Sequence, residues 1–394
     1  MMLAAGAGNL ELAQLLTERR AELNVRGPEG TTALSLAVQA GHLHVVELLA
    51  NSNARLDISD RRGVSALHTS ISAKRWEVTR FLIERGAPLD DQRYDAKTPL
   101  LLALAAGHDE TMQLLIKQRA NADLKSDDGL TALSITVKAA RWDLVELLAN
   151  GCADLNGAWG DERRTALMAA ASAGRAELVQ CLVERRANVN SQDRSGETAL
   201  LRAVGARQWR MVTFVAGLGA DLEARSSGSQ DGRTALHAAS EAKEPAVVRQ
   251  LAAQRADLEA TQGPERRTAL LSASTQGRMQ MAQLLIEVRA SLEARDRDGR
   301  TALVAAACGG HWQLVELLVE CTADVQAVGA EGWTALTWAA ALGQVSTGRL
   351  LLRARADPEA LTTEGRTTLL VAAAHGQTEV TQALLEAHAE ANAR

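Results

Sequence analysis

The chain has 394 residues, a net charge of −5 and only ten aromatic residues: seven Trp, two Phe and one Tyr. Aromatic side chains supply much of the buried area of large cores, so the composition disfavours a few thick cores and favours many thin layers of Ala, Leu and Val. It also disfavours a nucleic-acid binder, because such proteins neutralise phosphates with an excess of basic residues.

Targeting signals are absent from the sequence. The first residues, MMLAAGAGNLELAQLL, lack a basic region and contain Glu11, unlike a secretory signal. No apolar run reaches the roughly 18–20 residues of a membrane span. Four cysteines, Cys152, Cys181, Cys308 and Cys321, are too few for a disulfide framework in a chain of this length. We therefore expect an intracellular protein without membrane insertion, cytoplasmic by default, with the nucleus as the alternative.

A Thr-Ala-Leu signature or a close variant recurs eleven times along the chain, at steps of 33, 34 or 36 residues. Such constant spacing indicates a tandem-repeat architecture. The signatures start at Thr32, Ser65, Thr98, Thr131, Thr165, Thr198, Thr234, Thr268, Thr301, Thr334 and Thr367. The residue 22 positions after each start is alanine, and Ala21 fits the same register, so a partial repeat precedes the first signature.

The segment 299–325 shows how one repeat is expected to fold. The Thr301 hydroxyl is predicted to cap a short helix over 302–308, which Gly309 and Gly310 end. A second helix over 312–321 has apolar residues at helical spacing. The chain then leaves the helix after Ala323 and enters a polar turn, so each repeat is predicted to be helix, turn, helix and extended turn.

These features resemble the ankyrin repeat family. The resemblance rests on the Thr-Ala-Leu signature, the full form Thr98-Pro99-Leu100, the turn Gly310-His311, and the exit Ala153-Asp154-Leu155. It covers essentially the whole chain. It implies an all-α solenoid of about twelve helix-turn-helix repeats, with first helices on a concave face and hairpin-like turns projecting as fingers. It also implies a non-enzymatic scaffold that binds another protein or a peptide.

The register divides the chain into twelve repeats. The eighth is irregular, because the stretch 225–233 adds three residues and Gln250 replaces a leucine of the other repeats. The predicted repeats are 1–29 (partial), 30–62, 63–95, 96–128, 129–162, 163–195, 196–231, 232–265 (irregular), 266–298, 299–331, 332–364 and 365–394.

Arginine often stands where the family has a glycine, just before the constant alanine. A left-handed residue ends the second helix there, and a side chain in that conformation costs on the order of 1 kcal/mol. We interpret these arginines as residues whose backbone strain the fold tolerates. The alternative is that they form a basic stripe that binds an acidic partner. The arginines are Arg20, Arg119, Arg186, Arg255, Arg289 and Arg355.

No residue set predicts catalysis, and no motif predicts a cofactor. Cys308, His311 and Cys321 offer three metal ligands without the fourth that structural zinc needs, so we expect no metal. Paired carboxylates recur on the turns of nearly every repeat, which is typical of a solvated face rather than of an active site.

Charged residues alternate on the fingers. An acid lies three residues before most signatures, and a base often lies one residue before. We interpret these as self-neutralised pairs, a pattern that also argues against DNA binding. The acids are Glu29, Asp95, Asp128, Glu162, Asp231, Glu265, Asp298, Glu331 and Glu364, and the bases are Lys97, Arg164, Arg233, Arg267, Arg300 and Arg366.

Four tryptophans, Trp76, Trp142, Trp209 and Trp312, share the start of the second helix. We interpret them as packing residues between repeats, although an aromatic stripe for a partner is the alternative. Trp333 differs, because it occupies a finger position that carries Arg or Lys in other repeats, and it is expected to be exposed.

The predicted contact patch combines this tryptophan with two residues late in first helices. Exposed aromatic and aliphatic side chains are typical of binding hot spots. The patch comprises Arg300, Trp333, Leu342, Arg366 and His375. We expect a monomer that binds a protein or peptide whose identity the sequence does not encode.

A second hypothesis makes the chain a regulatory or targeting array of a larger enzyme, channel or ubiquitin-ligase adaptor whose effector domain lies elsewhere. Leu3, Leu12, Leu15 and Leu16 are expected to face solvent at the start of the array. A piece of a longer array would have such a start.

Overall fold

The computed structural model describes residues 1–151, 153–225, 232–387 and 389. Within these ranges the chain forms 24 α-helices and no β-strand, and the helices follow one another as antiparallel pairs. The fold is thus the all-α repeat architecture that the sequence predicts.

The first compact unit comprises Met1–Ala170 and Ala176–Arg194. Leu3, Leu12 and Leu15 are exposed there as expected, whereas Leu16 is half-buried. Its helices are α1 (Met2–Ala7), α2 (Leu10–Glu18), α3 (Ala33–Ala40), α4 (Leu43–Asn51), α5 (Ala66–Ser72), α6 (Trp76–Glu84), α7 (Pro99–Ala106), α8 (Asp109–Lys117), α9 (Ala132–Lys138), α10 (Trp142–Asn150), most of α11 (Ala166–Ser172), and α12 (Ala176–Glu184).

The second compact unit comprises Ala171–Arg175 and Ser195–Arg394. A single turn of 3₁₀ helix spans Ala330–Gly332. The α-helices of this unit are α13 (Ala199–Gly205), α14 (Trp209–Gly217), α15 (Ala235–Glu241), α16 (Pro245–Ala253), α17 (Ala269–Thr275), α18 (Met279–Glu287), α19 (Ala302–Cys308), α20 (Trp312–Glu320), α21 (Ala335–Ala341), α22 (Val345–Arg353), α23 (Thr368–Ala374) and α24 (Thr378–Glu386).

The signature threonine begins the first helix of most repeats. Thr98 has extended backbone angles, and its hydroxyl accepts the N–H of Leu101 at 3.2 Å, which satisfies one of the unpaired N–H groups of the first turn. The cap predicted for Thr301 is wrong. Its backbone is extended in the same way, but its buried hydroxyl accepts no helix N–H, so backbone geometry alone starts α19.

Where the structure describes the position, each second helix is followed by a residue in the left-handed conformation just before the constant alanine. Arg119 has a φ of 64° and donates to the carbonyl of Ile116, and Ala120 donates to that of Leu115. These two bonds form a Schellman motif, which confirms that arginine occupies the expected left-handed position. Equivalent positive φ values occur at Arg20, Arg186, Arg255, Arg289 and Arg355, whereas Cys152 lies outside the described residues.

The constant alanine immediately follows this left-handed residue and is buried. In the Schellman motif this position contacts the last turn of the preceding helix, so a small side chain suits the site. From the second repeat onward every such alanine is less than a tenth exposed: Ala54, Ala87, Ala120, Ala153, Ala187, Ala220, Ala256, Ala290, Ala323, Ala356 and Ala389.

Successive repeats are joined by side chains that accept main-chain N–H groups. In most repeats a carboxylate or amide oxygen of the exit turn accepts the N–H of the residue that follows the next constant alanine, whereas Pro88, which follows Ala87, has no N–H to donate. Asp123 accepts the N–H of Asp154 at 2.7 Å, and Glu293 accepts that of Asp324 at 2.8 Å. We call this series the inter-repeat ladder. Its other pairs are Asn24–Arg55, Asp90–Asn121, Asn156–Asn188, Glu223–Asp257, Glu259–Ser291 and Gln326–Asp357.

Two buried histidines connect a first helix to the finger that follows its repeat. His68 Nδ1 lies 2.7 Å from the Ser65 hydroxyl, and its Nε2 lies 3.1 Å from the Asp91 carbonyl. A carbonyl oxygen can only accept, so Nε2 carries the proton and Nδ1 accepts from the hydroxyl. His237 repeats the arrangement, with Thr234 and the carbonyl of Arg267 as partners.

The left-handed arginines lead to a prediction about stability. Replacing Arg119, Arg186, Arg255, Arg289 and Arg355 together with glycine removes strain of about 1 kcal/mol per site. A more flexible unfolded chain and the loss of cations near helix C-termini oppose this by several tenths of a kcal/mol each. We expect a higher urea midpoint, followed by circular dichroism.

Arg85→Gly is the matched control, because Arg85 is the C-cap residue of α6, has a φ of −87° and precedes the left-handed Gly86. No left-handed strain is relieved there, so this variant should be less stable than the parent. A lower midpoint for the fivefold variant would mean that the arginines stabilise the helix ends.

The buried histidines lead to a prediction about pH. Burial lowers the pKa of His68 and of His237, so the unfolded chain takes up protons at a higher pH than the folded chain. The stabilisation that depends on neutral imidazole rings is fully present above about pH 6.5, the pKa of histidine in the unfolded chain. It is lost as the pH falls below that value. We expect the urea midpoint to fall between about pH 7.5 and about pH 5.5.

The His68→Leu/His237→Leu variant tests the source of this dependence. Leucine is native to the same register at Leu101, Leu201 and Leu271, where it is buried. The double variant should show a smaller change of midpoint over the same pH range. An equal change in both proteins would assign the pH dependence to other groups.

Candidate functional site

The fingers that precede α19, α21 and α23 adjoin one another in the second compact unit. We call them the α19 finger (295–300), the α21 finger (327–333) and the α23 finger (360–366). The N–H of Thr363 donates to the carbonyl of Glu331 at 2.8 Å. Gly332 has a φ of 75°, and a Cβ there would lie 3.0 Å from the Leu361 carbonyl oxygen. Glycine therefore allows the α21 and α23 fingers to approach closely.

Trp333 ends the α21 finger, whose hairpin closes through a bond from the N–H of Gly329 to the Trp333 carbonyl at 3.0 Å. Its ring packs against Trp338 of α21, with centroids 4.4 Å apart and planes tilted by 46°. Both indoles are half-buried. The expectation of an exposed Trp333 is thus wrong, because the neighbouring indole covers part of the ring.

Leu342 follows α21 and is 48% exposed. Its N–H donates to the carbonyl of Trp338 at 3.0 Å, so it lies one helical turn beyond the indole pair and on the same side of the helix. The structure therefore brings Trp333 and Leu342 into one neighbourhood, with Trp338 between them.

The two arginines of the predicted patch are neutralised locally. Arg300 pairs with Asp298 at 2.8 Å, and Arg366 pairs with Glu364 at 3.1 Å. Lys97 and Asp95 form the same kind of pair at 3.2 Å. These contacts confirm the self-neutralised pattern at three fingers, whereas Asp231 lies outside the described residues.

Arg300 also adjoins the α21 finger, since a Cβ at Gly329 would lie 2.9 Å from the arginine Cγ. His375 ends α23, is exposed, and contacts the Val371 carbonyl of its own helix through Nδ1 at 2.9 Å. Gln377 then donates to the Ala341 carbonyl at 3.3 Å. The ends of α21 and α23 therefore lie side by side, which places His375 near Leu342.

Two further apolar residues escaped the sequence reasoning. Val328 and Leu361 are 41% and 58% exposed on the α21 and α23 fingers. Together with Trp333, Trp338 and Leu342 they form what we call the apolar surface. A signal was present in the sequence, because the α21 finger reads AVGAEGW and contains a single charged residue.

Among the tryptophans that start second helices, Trp76 makes a ring contact between neighbouring repeats. Trp76 stacks on His108 of the next repeat, with ring centroids 3.9 Å apart and planes 14° from parallel. The pair lies in a surface cleft of about 860 Å³ that Leu43 and Leu114 also line. This stacking supports the packing interpretation over an aromatic stripe.

The candidate metal ligands are not assembled. His311 Nε2 lies 3.1 Å from the Thr275 carbonyl of the preceding repeat. No group of three or more His, Cys, Asp or Glu side chains with metal-binding geometry occurs among the described residues. None of the helices in the described part of the chain is long and apolar enough to cross a membrane.

Comparison with known proteins matches this architecture along nearly the whole chain. The family description "Ankyrin repeats (3 copies)" matches residues 1–93, 86–157, 136–226, 247–328 and 321–394, and "Ankyrin repeat" matches residues 231–262. No curated protein matches the chain.

Solved structures support the same assignment of fold, with 507 matching chains. One is the crystal structure of the ankyrin repeat domain of Bcl-3, described as a unique member of the IkappaB protein family. It is 28% identical, has a TM-score of 0.51, and covers 57% of this chain and 100% of the Bcl-3 chain.

Proposed function

Because this chain belongs to the ankyrin repeat family, we propose that it is a non-enzymatic scaffold that binds another protein or a peptide. The fingers and the face formed by the first helices supply the contacts, and the chain acts as a monomer. The single observation that carries the proposal is the exposure of Leu342 beside the Trp333–Trp338 pair. Tryptophan is among the residues enriched in binding hot spots, and the exposed Leu342 extends the apolar area beside the indole pair.

The predicted patch supplies this binding site. Trp333 and Leu342 provide apolar area, and His375 lies at the adjacent helix end. Arg300 and Arg366 are held by acids on their own fingers, so they serve as a polar rim rather than as free cations. A rim of this kind excludes water from the centre and adds little affinity itself.

An intracellular location fits this proposal. Cys181, Cys308 and Cys321 are free thiols in the structure, and unpaired cysteines are usual in reducing compartments. Burial raises the pKa of the Cys181 thiol, which favours a structural role over a nucleophilic one.

A photo-crosslinking experiment tests the proposed site. A photoreactive phenylalanine analogue replaces Leu342 in the full chain expressed in cells, and crosslinked proteins are identified by mass spectrometry. The partner found is then purified, and its affinity for the parent chain is compared with that for Leu342→Gln. Glutamine is native to this register at Gln276, so the fold should be kept while the affinity falls by about tenfold or more.

Gln313 is the matched control position, because it is exposed on the second helix α20. The photoreactive residue at 313 should give no crosslink to the same partner, and Gln313→Ala should leave the affinity unchanged. Crosslinks at 313 alone, or an unchanged affinity for Leu342→Gln, would contradict the proposed site.

A further inference from the structure

Two Asn-Gly pairs lie in the fifth repeat, Asn150-Gly151 and Asn156-Gly157. In such a pair the glycine nitrogen can attack the side-chain amide carbon of the asparagine, because glycine has no Cβ to hinder the approach. The attack closes a cyclic imide and releases ammonia. Both asparagines are exposed, so the backbone around each pair decides how readily it reacts.

The first pair is held at the end of a helix. Asn150 is the last residue of α10, and the N–H of Gly151 donates to the Leu148 carbonyl at 3.1 Å. Gly151 also packs against Ile116, whose side chain occupies the place that a Cβ would take. Closure of an imide would break this helix end and move Gly151 from its contact, so the folded chain opposes the reaction here.

The second pair lies in the exit turn after Ala153, outside any helix. The N–H of Gly157 donates to the Asp154 carbonyl at 3.3 Å, which is longer than most bonds of this kind. The Nδ2 amide of Asn156 donates to no other residue in the described part of the chain. The attacking nitrogen and the leaving group are therefore only weakly restrained.

The inter-repeat ladder places a hydrogen-bond donor at the reacting carbonyl. The N–H of Asn188 donates to Oδ1 of Asn156 at 2.7 Å. Negative charge develops on this oxygen when the nitrogen of Gly157 attacks Cγ, and a fixed backbone donor stabilises such charge. A bond that joins two repeats therefore also favours attack on the asparagine.

We propose that Asn156 is a modification site, at which reaction with water converts the asparagine into aspartate and isoaspartate. Hydroxide removes the N–H proton of Gly157, whose nitrogen bonds to Cγ. Nδ2 takes a proton from water and leaves as ammonia, which regenerates the hydroxide. Water then opens the imide: cleavage of the new Cγ–N bond gives aspartate, and cleavage of the original peptide C–N bond gives isoaspartate.

The two products have opposite effects on the ladder. Aspartate is native to this register at Asp90 and Asp123, and each accepts the N–H of the next repeat at 2.7 Å. Isoaspartate instead carries the main chain through Cβ and Cγ, which lengthens the turn and displaces the accepting oxygen. The isoaspartate form therefore loses the bond to Asn188 and loosens the junction between the fifth and sixth repeats.

Peptide mapping by mass spectrometry, after incubation of the full chain in mildly alkaline buffer, tests the site. Asn156 should gain the mass of deamidation about tenfold faster than Asn150, or more. Both rates come from the same molecules, so the comparison needs no variant. In urea, where neither the helix end nor the ladder remains, the two pairs should react at similar rates.

Two variants that are matched to the chain separate the causes. Gly157→Ala hinders the nitrogen and should slow the reaction, and alanine is native to this register at Ala260, where the same turn bond is 3.3 Å. Asn188→Pro removes the donor N–H and should slow the reaction by about tenfold or more. Proline is native to that register at Pro88.

Hydrogen exchange measured by mass spectrometry tests the effect on the junction. The chromatographically separated isoaspartate form should exchange the amide of Asn188 faster than the parent, whereas Asn156→Asp should exchange it at the parental rate. Treatment with isoaspartate methyltransferase and S-adenosylmethionine returns isoaspartate toward aspartate and should restore the slow exchange.

Several results would overturn the proposal. Equal rates at Asn150 and Asn156 in the folded chain, or no reaction at Asn156, would refute the modification site. A rate at Asn156 that Asn188→Pro leaves unchanged or raises would refute the role of the ladder bond in the reaction. Unchanged exchange of the Asn188 amide in the isoaspartate form would refute the loosening of the junction.

Discussion

The left-handed residue that follows the second helices in the described part of the chain is the constraint on which the other contacts depend. Its two backbone bonds, seen at Arg119 and Ala120, end the helix at a defined residue. The buried alanine then fixes how closely the exit turn approaches the helix. The ladder side chain, such as Asp123, meets the N–H of Asp154 only because both turns leave their helices at the same register. The left-handed end of the helix therefore leads to a hydrogen bond between neighbouring repeats that recurs along the chain.

The repeat, the helices and the left-handed arginines could be predicted because each leaves a periodic mark on the sequence. The inter-repeat ladder could not, although its residues recur as well. Asn24, Asp123, Glu223 and Gln326 share an acceptor oxygen but no residue type, and in the sequence they look like ordinary solvated turn residues. Their partners are main-chain N–H groups more than thirty residues away, which no side-chain pattern identifies. The missing cap at Thr301 has a similar origin, because a hydroxyl rotamer is decided by its surroundings.

The sequence predicts those features of the candidate site that depend on local patterns, and it does not predict those that depend on the folded chain. Acid and base two residues apart predict local ion pairs, and Arg300 and Arg366 form them. The burial of Trp333 depends on Trp338, whose helical position faces the finger only after the chain has folded. The exposure of Val328 and Leu361 depends on how their two fingers pack, which the residue type alone does not reveal.

The inter-repeat ladder also governs how the chain responds to a pulling force. Each ladder bond joins one repeat to the next, as between Glu293 and Asp324. Tension applied to the two ends therefore breaks one boundary at a time instead of loading a single shared core. Release of one repeat of 33 residues lengthens the chain by on the order of 100 Å. Extension under tension would therefore proceed in portions of one repeat.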